Sequence, residues 1–346
     1  MQIKVNRTPH LIDGYYIEEY SLLNDQGFEL RCTNFGAAIT HLFWPGIDSN
    51  TDILLGHDQV EKWIWDKNWF GSTAGRCCNR IKNARFTLDD KEYQVTANRP
   101  PHQLHGGAKG FNWHVWRGTP EQTVEYVGVR MYLISKDGDE GFPGNLSVEA
   151  FFAITNANEL IIEYKADTDK YTICNLTSHP YYNLNGAGSI LDHELWIHAD
   201  QMLLNDADTV PTGEFFDVKG SAFDFSVLTN IGKNLRKGHE QIDFAKGIDQ
   251  NFVLKESIPD RPQVILYSPQ CRKKLSFFTN QPGVQFYTGN YLNLIGKNNL
   301  KYEKHYGLCL ETQGFPNAIN YPNFPSVILR PEQKYWSWTK LKMEDD

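Results

Sequence analysis

The chain has 346 residues, 40% hydrophobic and 13% aromatic, with 34 basic against 42 acidic side chains and a net charge of -8. That length holds one large β or α/β domain or two ordinary ones, and the aromatic, Gly, Asn and Thr content favours strands and turns over helices. With no basic stripe or arm, the electrostatic footprint of a nucleic-acid binder is missing, which leaves a neutral or small polar partner.

In chain order, the N-terminal stretch MQIKVNRTPHLIDGYY lacks the unbroken apolar core of a signal peptide, and no run of about 18 apolar residues occurs later. The reading is a soluble, cytoplasmic protein with no membrane partner. The six cysteines, Cys32, Cys77, Cys78, Cys174, Cys271 and Cys309, are scattered without CxxC pairs, which predicts reduced and mostly buried thiols. Adjacent Cys77 and Cys78 would point opposite ways on a strand. Helical signal is confined to HDQVEKWIWDKN, His57 to Asn68, with an apolar stripe of Val60, Trp63 and Ile64.

The polar set GRCCNRIKNARF, Gly75 to Phe86, supplies Asn79 and Arg80, of which Arg80 is either a ligand donor or half of a surface ion pair. Next, NRPPHQLHGGAKGFNWHVW gathers His102, His105 and His114 around Gly106-Gly107. His102 and His105 would face opposite sides of a strand, and no Glu or Cys completes a set such as HExxH, so no metal site is expected. The glycine pair marks a close approach by a ligand or by another backbone. His105 is then a structural histidine or a ligand contact.

Three alternating stretches follow: TVEYVGVRMYLIS (Thr123 to Ser135), NLSVEAFFAIT (Asn145 to Thr155) and ELIIEYKAD (Glu159 to Asp167). They read as a β-meander. The turn KDGDEGFPG between the first two offers Gly138, Gly141 and Gly144 for positive φ. In ICNLTSHPYYNLNG, Ile173 to Gly186, a strand runs into Ser178-His179-Pro180 and a tyrosine pair. A strand-end histidine suits acid–base work, or it simply bonds a turn carbonyl. KGIDQNFVL and GVQFYTGNYLN add Asp249, Gln285, Tyr287 and Asn290, side chains of the kind that recognise sugar hydroxyls; Asp249 alone is equally compatible with an Asx turn.

In YGLCLETQGFP, Leu308 and Leu310 would share one strand face and Gly307, Cys309 and Glu311 the other. A partly desolvated Glu311 walled by Gly307 and Cys309 would have a raised pKa and accept a proton near neutral pH; the alternative is an exposed strand-end acid. Strand-like patterns continue to SVILRPEQKYWSWTKLKM. With no linker, low-complexity tract or repeat, residues 1–346 read as a single all-β domain: a large antiparallel sandwich or a barrel, since a propeller would repeat every 40 to 50 residues or so.

Taken together, GRCCNRI, QLHGGAKGF, DGDEGFPGNL, SHPYYNL, GIDQNF, GVQFYTGNYL and CLETQGFPNAIN resemble, in order and spacing, the aldose 1-epimerase (galactose mutarotase) family. The resemblance spans the chain from about Gly36 to the C-terminal strand. It implies a galactose mutarotase-type antiparallel β-sandwich with short helices, an open sugar cleft, and interconversion of the α and β anomers of free hexoses without a cofactor. On the matching motifs Glu311 takes the place of the general base and His179 of the general acid. Asn79, Arg80, His105, Asp249 and Gln285 match substrate-binding positions, with Tyr181 beside them. The partner is a small sugar, and the protein a monomer or homodimer. Cys77-Cys78, Pro180 and Gln250 depart from the usual pattern; Pro180 removes one backbone donor and bears on substrate preference rather than on the reaction. Two rivals remain: a hexose-6-phosphate 1-epimerase, which needs clustered Arg or Lys such as Lys82 and Arg85 near Arg80, and a non-catalytic sugar-binding sandwich.

Overall fold

The computed structural model describes residues 1–45, 50–258 and 260–345. Its framework is a nine-stranded sheet and two five-stranded sheets, all with antiparallel pairing. The three α-helices among the described residues are five or six residues long. The expected helix is one of these, Val60–Ile64, and it buries only Trp63 of the apolar stripe. One hydrophobic side chain cannot hold a longer helix against the sandwich.

The meander forms the first part of the nine-stranded sheet. Strands Tyr126–Ser135, Leu146–Thr155 and Glu159–Thr168 pair in sequence, and Gly138, Gly141 and Gly144 in the connecting turn all take positive φ. The C-terminal strand Tyr335–Asp345 then pairs on one side with Glu159–Thr168 and on the other with Lys273–Thr279. The last strand of the chain therefore joins the two halves of the sheet.

Period-two alternation puts one face of each large sheet into a shared core. Val129, Phe152, Ile162 and Leu341 of the nine-stranded sheet, Leu22 and Leu30 of the N-terminal sheet, and Phe252, Phe286 and Leu310 of the second five-stranded sheet belong to the same buried cluster. That second sheet has the order Pro211–Asp217, Gln201–Asn205, Asp249–Val253, Gly283–Tyr287, Cys309–Gln313. Its apolar face closes the core, and its other face is polar.

Candidate active site

The polar face is laid out by register. Asn251, Gln285 and Glu311 stand opposite one another in one row, and Asp249, Tyr287 and Cys309 in the next. The residues between them, Gln250, Phe286 and Leu310, point the other way. Gln250 accordingly stays out of the site: it bonds Asn205 Nδ2 at 3.0 Å and Gln241 Oε1 at 3.1 Å in the buried layer behind the strand.

Above this face lies an open cleft of about 610 Å³. It is lined by Asn79, Arg80, His105, His179, Tyr181, Asp249 and Glu311, so seven of the eight site residues that the family resemblance implies converge there, together with Tyr287, while Asn290 does not line it. The eighth, Gln285, is buried next to Glu311 in the ladder and does not line the cleft. Its Nε2 donates to Asp249 Oδ1 at 2.6 Å, which fixes the Asp249 carboxylate.

His179 arrives from a different direction. The segment Thr177–Ser178 pairs with Thr73–Ala74; the His179 N–H donates to Ser72 O at 3.0 Å and its carbonyl accepts from Gly71 N at 2.9 Å. Tyr182 then exchanges backbone bonds with Leu308 at 2.7 and 3.0 Å. Pro180 costs this clamp nothing, because the bonds on either side are made by His179 and Tyr182. The clamp brings His179 Nε2 to 3.6 Å from Glu311 Oε1, with both side chains at most 5% exposed.

Burial governs the protonation of this pair. Desolvation, with the Asp249 charge adding to it and Arg80 opposing, raises the Glu311 carboxyl well above the ordinary carboxylate range. Glu311 Oε2 is buried without a protein hydrogen-bond partner, as is Gln285 Oε1. Burial lowers His179 to about 4. The wall behind the acid differs from the sequence expectation: Cys309 packs on His179, its Sγ 3.5 Å from Nδ1, while Gly307 packs on Leu55 and the Tyr181 side chain.

The second histidine is held by Asn79. The Asn79 N–H donates to His105 Nδ1 at 3.2 Å, and the Asn79 carbonyl accepts from His105 N at 3.0 Å. Asn79 Oδ1 accepts from Arg80 N at 2.8 Å. Both Asn79 (φ 58) and His105 (φ 50) are left-handed, a conformation that Asn and His tolerate better than most residues. Gly106 follows at φ 92, and a Cβ there would fall 1.7 Å from Gly75 O. Gly106 thus serves the approach of another backbone, and Gly107, where a Cβ would fall 2.2 Å from Glu140 Oε2, the approach of a side chain.

His105, His179 and Glu311 offer one nitrogen or oxygen each within 4.8 Å of one another, a cluster the histidine spacing did not anticipate. Because His105 Nδ1 accepts a backbone N–H, the proton of the neutral ring sits on Nε2. The free nitrogen is thus a hydrogen-bond donor, which does not suit it as a metal ligand. Arg80 Nη2 lies 3.8 Å from Asp249 Oδ2, inside the cleft rather than on the outer surface.

Sequence reasoning missed Trp69, Arg99, Asp208 and Tyr291, which also line the cleft, as does His102, which it weighed only as a metal ligand. Trp69 has φ 56, and its ring lies 4.9 Å from that of His105. Asp66 makes this turn, accepting from Asn68 N at 3.0 Å and Phe70 N at 3.1 Å. The readable signal was the Asp two residues before Asn68, an Asx-turn pattern.

An antiparallel sandwich with a buried carboxylate–imidazole pair beneath an open polar cleft is the layout of an acid–base enzyme for a small polar substrate. The aldose 1-epimerase family model matches residues 18–342, and the chain belongs to that family of isomerases. Among its relatives, galactose mutarotase from Bos taurus is 40% identical over 94% of both chains. Galactose 1-epimerase from Lactobacillus acidophilus superposes with a TM-score of 0.89 at 28% identity over 99% of both chains. The aldose epimerase homologue from C. elegans gives 0.87 at 29% identity, over 94% of this chain and 98% of the other.

Proposed function

We propose that the protein is a cofactor-independent aldose 1-epimerase that interconverts the α and β anomers of free hexoses such as galactose and glucose, with Glu311 as base and His179 as acid. The observation that carries this reading is the 3.6 Å approach of Glu311 Oε1 to His179 Nε2 in the wall of the cleft. Anomerisation removes the proton from the C1 hydroxyl and delivers one to the ring oxygen, so the C1–O5 bond opens to the aldehyde. After rotation about C1–C2, the O5 hydroxyl attacks the other carbonyl face and the two groups exchange duties.

The reaction requires one proton shared between two groups of opposed tendency. Burial pushes the carboxyl up and the imidazole down, so moving a proton from His179 to Glu311 through the sugar is less uphill than in water. The His105 Nε2–H and Arg80 supply donors to oxygens on which charge develops. Asp249, held by Gln285, and Asn79 serve as hydroxyl partners, and Tyr181 packs on His179 with ring centroids 5.2 Å apart.

The test is polarimetry on freshly dissolved α-D-galactose and α-D-glucose, run beside glucose 6-phosphate. Acceleration of the free sugars over buffer is expected. A preference for the phosphate would replace this reading with the phosphosugar epimerase, for which Lys67 and Arg99 at the cleft are available. Saturable sugar binding without acceleration would replace it with a binding protein.

A further inference from the structure

The mechanism above uses His179 only through Nε2. An imidazole that gives a proton at Nε2 and takes one back must keep the other nitrogen protonated throughout; otherwise Nε2 carries the only proton of the neutral ring and has no lone pair with which to recover one. The state of Nδ1 therefore decides whether Nε2 can exchange at all. In hydrolase triads a buried carboxylate meets this need. Among the described residues no carboxylate stands there: Cys309 Sγ faces His179 Nδ1 at 3.5 Å.

Three features of the fold put it there. Cys309 is two residues before Glu311 on the same strand, so both side chains project from the polar face. His179 is clamped by backbone bonds to Ser72 and Gly71, and the next segment by those of Tyr182 to Leu308, the residue before Cys309. The thiol itself is fully buried, and burial raises its pKa well above the ordinary value, so it remains neutral. A neutral sulfur has the lone pairs to accept from the imidazole.

We propose that Cys309 is a positioning residue, whose sulfur accepts the Nδ1 proton of His179 and thereby reserves Nε2 for proton exchange with the sugar. This rests on the acid–base reading of Glu311 and His179. A neutral, weak acceptor suits the site: a carboxylate in the same place would put a second buried negative charge beside Glu311 and raise the imidazole's basicity, whereas sulfur orients the ring and fixes its tautomer without adding charge. His105 and His179 then differ at Nε2. His105, whose Nδ1 accepts from Asn79, is a fixed donor, and His179 is the one that exchanges.

The experiment compares Cys309→Ala with Cys309→Ser, whose hydroxyl restores an acceptor. Two-bond ¹⁵N–¹H spectra of the histidine rings are expected to show His179 as the Nδ1–H tautomer in the wild type and in Cys309→Ser, and shifted toward Nε2–H in Cys309→Ala. The kcat of Cys309→Ala is expected to fall about 2- to 10-fold, the range over which one hydrogen bond of ordinary net strength moves an equilibrium. KM should stay near the wild-type value, and Cys309→Ser should recover most of the loss. An Nε2–H tautomer in the wild-type protein, or wild-type kcat in Cys309→Ala, overturns the proposal. Failure of the wild-type protein to accelerate mutarotation would instead overturn the reading beneath it, and the spectra would still report on the tautomer.

Discussion

Glu311 must lose its proton to act as a base, yet it sits where burial and Asp249 oppose ionisation. Its folded-state pKa lies above the unfolded value, so its stabilising contribution is complete below the unfolded pKa and is lost as pH rises through the folded one. At pH 8 the native protein carries this penalty in full or in part. Glu311→Gln removes both the charge and the base. Mutarotation is expected to fall by ~10²–10⁴-fold, while resistance to denaturant at pH 8 rises by about 1–3 kcal/mol, the cost of a poorly satisfied buried polar group. The gain should shrink toward pH 4. A variant that keeps wild-type turnover, or is less stable at pH 8, would count against the assignment. The position of Glu311 was legible in the sequence because strand alternation separates Leu308 and Leu310 from Cys309 and Glu311. What faces each side was not: Gly307 packs on Leu55 and Tyr181 because a segment more than a hundred residues earlier crosses there, and periodicity within one strand carries no information about that crossing.

At the scale of elements, the site is a matter of register. Pairing Asp249 with Tyr287 and Gln285 with Glu311 places the acid, its neighbour and the Asp249 ligand position on one face, and a slip of one residue would bury all of them in the core. Gln250 is on the far face, where it joins Asn205 and Gln241 in a buried amide network. Gln250→Ala should therefore cost about 1–3 kcal/mol by leaving buried partners unsatisfied and leave KM for galactose nearly unchanged. A destabilised variant with wild-type KM in urea titration and initial-rate assays is the expected pair of results; an altered sugar preference without destabilisation would place Gln250 in the cleft after all. The strands of the meander and their glycine turn were readable because alternation and turn chemistry are local. The helix was overextended because its stripe, Val60 and Ile64, finds no buried surface to cover. Trp69 escaped notice because a left-handed tryptophan is dictated by the Asp66 turn and by His105, not by its own preference.

For the molecule as a whole, the C-terminal strand decides whether the sandwich behaves as one unit. Tyr335–Asp345 is the only link by hydrogen bonds, among the described residues, between the meander half of the nine-stranded sheet and the half that begins at Lys273–Thr279. Leu341 stands at its centre, opposite Leu160 on one side and Phe277 on the other, and all three are at most 1% exposed in the core shared with the sheet that carries Glu311. A cavity there removes packing from both halves and from the layer beneath the cleft at once. Leu341→Ala is expected to lower stability by ~2–5 kcal/mol without changing KM, since Leu341 is a full sheet away from the sugar. If residues 1–346 are one cooperative domain, two probes should report the same shifted midpoint in guanidinium: fluorescence, to which Trp69 at the cleft contributes, and far-ultraviolet circular dichroism, which follows the strands. Separate midpoints, or loss of sugar turnover well before loss of strand signal, would divide the chain into units that the shared core argues against.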